Sequence, residues 1–225
     1  MSIDLGTPPL PPLAFQELVC GPSYAYLFED VGRGMVNHLE YEGLLAGAVD
    51  FLDVGCGCGR VARYLMERPL RSYVGFDRHP GMVDWCRTEI ARRDPRFRFD
   101  LFDLKSAYDD WDAQRGTLDV VGFTFPYADA SFDTALLASV FTHMPTDETR
   151  HYLAELHRVL RPGGRMLLSI FFTEHEPSRL DHVNFLHDPS VFQATVDALG
   201  FDARLAQREI TYGYTQNWYV LTKAR

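Results

Sequence analysis

From Ala48 to Phe172 short apolar runs alternate with amphipathic stretches, and this alternation limits what the chain can fold into. "AVDFLDVG" is a short apolar run ending in glycine, the pattern of a buried strand. "RVARYLMER" then reads as a helix stopped by Pro69, and "SYVGFD" as a second strand. "PGMVDWCRTEIARRD" opens with a helix-compatible proline and places Met82, Val83, Trp85, Cys86 and Ile90 at helical spacing. "RFRFDLFD" alternates as a third strand, and "SFDTALLASVFTH" contains a fourth. "TDETRHYLAELHRVL" is a helix with Thr146 as its expected N-cap. "PGG" is expected to break the chain before the fifth strand, "RMLLSIFF". "DPSVFQATVDALG" is a helix capped by Asp188 and closed by Gly200, and "FDARLAQREI" and "WYVLTKA" are two last strands that should pair. Strand and helix taking turns in this way predict an α/β fold, a mostly parallel sheet with helices on both faces. Such sheets bind ligands at the carboxyl ends of their strands.

One of those ends carries "FLDVGCGCGR", Phe51 to Arg60. Cys56 and Cys58 are only two soft ligands, and no second Cys or Cys/His group follows at a zinc-like spacing, so no metal is expected. A dinucleotide loop needs G-x-G-x-x-G; here Gly55, Gly57 and Gly59 form G-x-G-x-G, and Arg60 stands where the last glycine belongs. Asp53, just inside the strand, would repel a pyrophosphate and suit a positively charged group. The pattern favours a nucleoside with a cationic or zwitterionic tail.

These stretches together resemble class I S-adenosylmethionine-dependent methyltransferases. "LDVGCGCGR" is similar to their motif I. "YVGFDRHPGMVDWC", "FRFDLFD", "PYADASFDTALLASVFTHM", "YLAELHRVLRPGGRMLLSIF" and the closing strand pair follow in the family's order, over residues 24 to 224. The resemblance implies a Rossmann-like, seven-stranded sheet, mostly parallel with an antiparallel last strand. It also implies S-adenosyl-L-methionine as cofactor and S-adenosyl-L-homocysteine as product. Gly55 and Gly57 would let the backbone of Cys56 and its neighbours approach the methionine part. Asp53 would orient the loop and favour the ammonium or sulfonium end. Asp77 would accept both ribose hydroxyls, with Arg78 flanking the adenosine. Met82 would lie against adenine or serve as a core methionine. Asp103 with the backbone of Leu104 would meet the adenine amino edge, Asp100 being the competing acid. Ser139 would offer its carbonyl to the ammonium. Arg60 would reach the carboxylate or simply start its helix.

The segment between the strand-three acid and "YADASFD" is longer than in many members, and resembles a subgroup of bacterial small-molecule methyltransferases. We therefore divide a single domain, 1–225, into a proline-rich arm (1–23, with "TPPLPPLAF" extended), the core, and an insertion (104–128) that is part of an acceptor pocket, a cover over adenine or a solvated excursion. Trp111, Phe141 and His175 are the expected acceptor contacts. His143, just past the fourth strand, is the candidate general base, against a purely structural role at the helix entry. Lys plus Arg number 22 against 31 acids, a net charge of −9, which withholds the general attraction to nucleic acid. No apolar run approaches the roughly 18 residues of a membrane span. The opening residues lack a basic, then apolar, leader, and four cysteines are few and irregularly spaced, so a cytoplasmic protein with reduced thiols is expected. The favoured function is methyl transfer to oxygen or nitrogen of a small-molecule acceptor. A protein or nucleic-acid methyltransferase, and a cofactor-binding protein without transfer activity, are the alternatives.

Overall fold

A computed structural model describes residues 7–110, 116–173, 178–181, 183–211 and 214–225. The chain divides into two compact units, residues 1–102 and 103–225.

The first unit holds three strands, β1 (Asp50–Val54), β2 (Ser72–Asp77) and β3 (Phe97–Leu101), paired in parallel in the order β3-β2-β1. Nearly every side chain of β1 and β2 is buried, as a sheet covered on both faces requires. Register stacks the rings of Phe51, Tyr73 and Phe97 across the three strands, with centroids 5.8 and 4.6 Å apart. The described residues of this unit include the α-helices α1 (Leu13–Cys20), α2 (Phe28–Tyr41), α3 (Ala62–Leu65) and α4 (Pro80–Cys86), the last continued by a wider π turn over Arg87–Ala91, and a 3-10 turn over Pro22–Leu27.

The proline-rich arm is not extended throughout: Pro12 holds an extended backbone at the N-cap position, and helix α1 starts at the next residue. The helix expected over "RVARYLMER" shrinks to the four residues of α3.

The second unit contains β4 (Phe132–Leu137), α5 (Thr146–Val159), β5 (Leu160–Phe171), a two-strand ribbon β6 (Ser178–Arg179) and β7 (Phe185–Leu186), α6 (Pro189–Leu199), β8 (Phe201–Thr211) and β9 (Tyr214–Lys223). β4 and β5 are parallel; β9 runs antiparallel to both β5 and β8, in the order β4-β5-β9-β8. The class is the expected one: a seven-stranded, mostly parallel α/β sheet whose last strand is antiparallel. The Asp188 carboxylate caps α6 by accepting from the Ser190 and Val191 N–H groups, and Gly200 closes it in the left-handed region, as expected.

"PGG" does not end a segment. β5 runs through it as a bulge: Leu160 pairs with Phe132 but Arg165 with Thr134, so three extra residues are looped out of β5. Thr146 is the first residue of α5 rather than its N-cap, a position taken by Pro145, whose extended backbone lacks a side-chain acceptor. Within the insertion, Val120, Phe125 and Tyr127 are buried. Phe125 packs edge-on against Tyr152 of α5, and the Glu155 carboxylate accepts its N–H at 2.7 Å. This part of the insertion is packed rather than solvated.

Candidate functional site

The glycine loop follows directly from β1. Its Gly55 and Cys56 N–H groups donate to the Phe76 carbonyl at 2.9 and 3.0 Å, which ties the loop to the end of β2. Asp77, the last residue of β2, has its two oxygens engaged separately. Oδ2 accepts the Gly57 N–H at 2.8 Å and Oδ1 accepts the His79 N–H at 2.9 Å. Each oxygen keeps one lone pair for a further donor. Gly57 and Gly59 both have φ in the left-handed region, +52° and +76°. A Cβ on Gly57 would meet Val19 of α1 at 3.2 Å; one on Gly59 would stand 2.5 Å from Ile90 Cδ1.

Asp53 lies inside β1 with its side chain buried and its Oδ2 accepting the Tyr73 hydroxyl at 2.6 Å. Burial pushes its carboxyl up to about 7, with the Tyr73 hydrogen bond opposing and the Asp77 charge adding to the rise. Tyr73 is a partner the sequence reading missed. A buried acid needs a donor, and "SYVGFD" offers a phenol on the adjacent strand.

A carboxyl that prefers its proton when folded makes folding stability depend on pH. The contribution is fully present below about 3.8, where the unfolded acid is also protonated, and is lost as pH rises to about 7. Asp53→Asn removes the titration while leaving an oxygen for Tyr73. Urea unfolding of both proteins from pH 4 to 8 is expected to show the wild type losing ground to the variant by roughly 1.4 kcal/mol per pH unit up to about 7. A constant difference between them would contradict the burial of this acid.

Arg60 follows the loop, and its guanidinium donates to two sulfurs, Cys20 Sγ at 3.4 Å and Met35 Sδ at 4.0 Å, while its Nε is buried without a partner among the described residues. Arg78 is half-buried. Met82 is buried in a cluster with Cys20, Phe28 and Cys58. Cys56 and Cys58 are free and buried, and burial pushes both thiols up. Among the described residues no group of three or more His, Cys, Asp or Glu side chains is arranged to hold a metal. The competing acid, Asp100, pairs with Arg98 at 2.9 Å.

In the second unit, Asp103 is exposed and its Oδ2 accepts the Thr117 hydroxyl at 2.6 Å, while Leu104 is buried and bridges to Leu118. Ser139 lies just past β4 with φ +59°. Phe141 is fully buried, and its carbonyl faces His187 Nε2 at 2.9 Å. His143 Nδ1 stands 3.1 Å from the Val183 carbonyl, an acceptor only, so the Nδ1–H tautomer is selected. Burial lowers the pKa of this imidazole, against the opposing pull of the Val183 carbonyl and the Asp181 charge, and favours its neutral form. Trp111 and His175 lie outside the described residues.

A family model described as "Methyltransferase domain" matches residues 52–168, from β1 through the glycine loop into β5. The chain belongs to the methyltransferase domain family. Methyltransferase GfsG of Streptomyces halstedii is 31% identical over 149 residues, which are 66% of this chain and 47% of that protein. The demethylmenaquinone methyltransferase of Deinococcus radiodurans is 35% identical over 142 residues, 63% of this chain and 51% of the relative. The chain thus spans about half the length of these relatives. Among solved structures, the [4+2]-cyclase SpnF superposes with a TM-score of 0.64 at 18% identity, covering 86% of this chain and 80% of its own. The Burkholderia thailandensis 1,6-didemethyltoxoflavin-N1-methyltransferase superposes at 0.55 with 19% identity, over 96% and 92%. At such identities these superpositions establish the fold.

Proposed function

We propose that this chain is a single-domain, cytoplasmic S-adenosylmethionine-dependent methyltransferase acting on oxygen or nitrogen of a small-molecule acceptor. The observation that carries the reading is the Asp77 carboxylate at the end of β2, bonded to the Gly57 N–H of a loop that passes Gly57 and Gly59 at positive φ. The residues of the first unit fit the cofactor. Asp77 retains acceptor capacity for two ribose hydroxyls, and Arg60 carries a buried, unpartnered Nε able to donate to a carboxylate. In the second unit Ser139 contributes a carbonyl for the ammonium, and Asp103 with Leu104 addresses the adenine edge. When bound, the cofactor supplies the electrophilic methyl group and a thioether leaving group. The chain supplies alignment, which in well-oriented cases is worth about 7–11 kcal/mol.

Support for a small acceptor comes from the names of several relatives, among them a demethylmenaquinone methyltransferase, and from the net charge of −9; another relative is a tRNA methyltransferase. No helix among the described residues is long and apolar enough to cross a membrane. The test is incubation with methyl-labelled S-adenosylmethionine and a panel of small hydroxyl, carboxylate and amine acceptors. Label recovered in a small product supports the proposal. A second reading is cofactor binding without methyl transfer, since the fold alone does not fix the reaction and a [4+2]-cyclase shares it. Tight cofactor binding with no transfer to any acceptor class would decide for it.

His143 then divides the acceptor types. Burial favours its neutral form, and the Val183 carbonyl selects the tautomer with the proton on Nδ1, which leaves the Nε2 lone pair that a general base needs. For a hydroxyl acceptor, His143→Ala is expected to lower kcat by about 10²–10⁴, with partial rescue at high pH. For a carboxylate or neutral amine the loss stays under about tenfold, from positioning alone. Cofactor affinity measured alongside is the control: if it collapses with the rate, His143 supports the fold and not proton transfer.

A further inference from the structure

Ser139 pays a conformational cost that nothing in its own side chain explains. Among the described residues only two that are not glycine have positive φ, Ala130 and Ser139. For an L-residue this region is strained, and it persists only where surrounding contacts enforce it. At Ser139 those contacts form a buried polar chain. The Ser139 N–H donates to Ser169 Oγ at 2.8 Å; the Gln216 carboxamide Nε2 donates to the same Oγ at 2.8 Å and reaches Ser139 Oγ at 3.4 Å. Ser169 is fully buried on β5, and Gln216 is 3% exposed on β9.

Ser169 lies between the buried Leu168 and Ile170, and the residues paired with it and with Gln216 across the two strands, Trp218 and Phe171, are buried and apolar; on β9 Gln216 itself is followed by a second buried carboxamide, Asn217. Burying a hydroxyl and a carboxamide there is costly unless both are bonded, and aliphatic side chains would fill the space without that cost. What the polar pair adds is a fixed conformation for the peptide at Ser139.

We infer that Gln216 and Ser169 are positioning residues, which hold Ser139 in its strained conformation and so fix the direction of its carbonyl toward the cofactor's ammonium. The inference rests on the reading of that carbonyl given under the proposed function. It assigns a role in cofactor selection to two residues far from the glycine loop in sequence.

The test compares S-adenosylhomocysteine with an analogue whose amino group is replaced by hydrogen, by calorimetry on the full chain. The wild type is expected to prefer the amino-bearing ligand. Gln216→Met, which keeps the volume and removes the donor, is expected to weaken that ligand about tenfold and the deaminated analogue less than about twofold. Ser169→Ala, a smaller change, should act in the same direction. Adding Ser139→Gly to Gln216→Met should restore part of the preference, because glycine adopts positive φ without the steric cost that Ser139 bears. Equal weakening of both ligands, no weakening of either, or no rescue by glycine would overturn the positioning role. If the wild type itself binds the two ligands equally, the carbonyl does not read the ammonium, and the inference falls together with that premise.

Discussion

Asp77→Ala is expected to weaken S-adenosylmethionine binding by about 2–4 kcal/mol, roughly 30- to 800-fold, in a protein that still folds. Two losses add. The ribose hydroxyls lose a charged acceptor, and hydrogen bonds to charged groups are the stronger kind. The Gly57 and His79 N–H groups lose the two oxygens that now hold them at 2.8 and 2.9 Å, so the loop gives up its side-chain anchor to the end of β2. Asp77→Asn separates the two effects. One carbonyl oxygen can still accept from Gly57, while the charge is gone, so its affinity should fall between wild type and alanine. Asp77 is half-buried at a strand end, and the Phe76 carbonyl continues to hold Gly55 and Cys56. Calorimetry giving wild-type affinity in folded Asp77→Ala would end the assignment of this carboxylate to the ribose.

Gly59→Ala is expected to cost about 2–5 kcal/mol of folding stability, from left-handed strain of about 1–2 and overpacking of about 1–3. The residue has φ +76°, and its new methyl would stand 2.5 Å from Ile90 Cδ1 and 3.1 Å from Cys86 Sγ. Both obstacles sit on the α4 helix and its π continuation, which are packed too closely to step back. Thermal unfolding should show Tm lowered by roughly 4–20 °C. Ile90→Val deletes the offending Cδ1; combined with Gly59→Ala it should recover the packing part and leave the backbone part. A Tm within about 2 °C of wild type in the single variant would show that neither contact is as tight as described.

The first two strands were legible because both of their faces are buried, which writes continuous apolar runs into "FLDV" and "YVGF". Asp77 was legible for the related reason that an acid closing such a run has somewhere specific to be. Helix α1 was hidden by Pro8, Pro9, Pro11 and Pro12, although "LAFQELVC" begins where the prolines stop. The bulge at "PGG" was read as a break because local propensity cannot show that β5 resumes against β4 in shifted register. Tyr73 and Asp53 meet only through the register of β1 and β2, and Ser139, Ser169 and Gln216 only through two strand pairings. Their separations of 20, 30 and 47 residues in sequence carry no local signal.

The two thiols that flank Gly57 have a kinetic consequence. Cys56 and Cys58 are buried, and burial holds both well above the ordinary thiol range, so at neutral pH almost no thiolate exists to attack a reagent. An alkylating reagent must wait for the loop to open, and its half-life then measures how often that opening occurs. The sulfurs are therefore an internal stopwatch for the glycine loop: slow in the resting protein, and slower still with any molecule that keeps the loop closed.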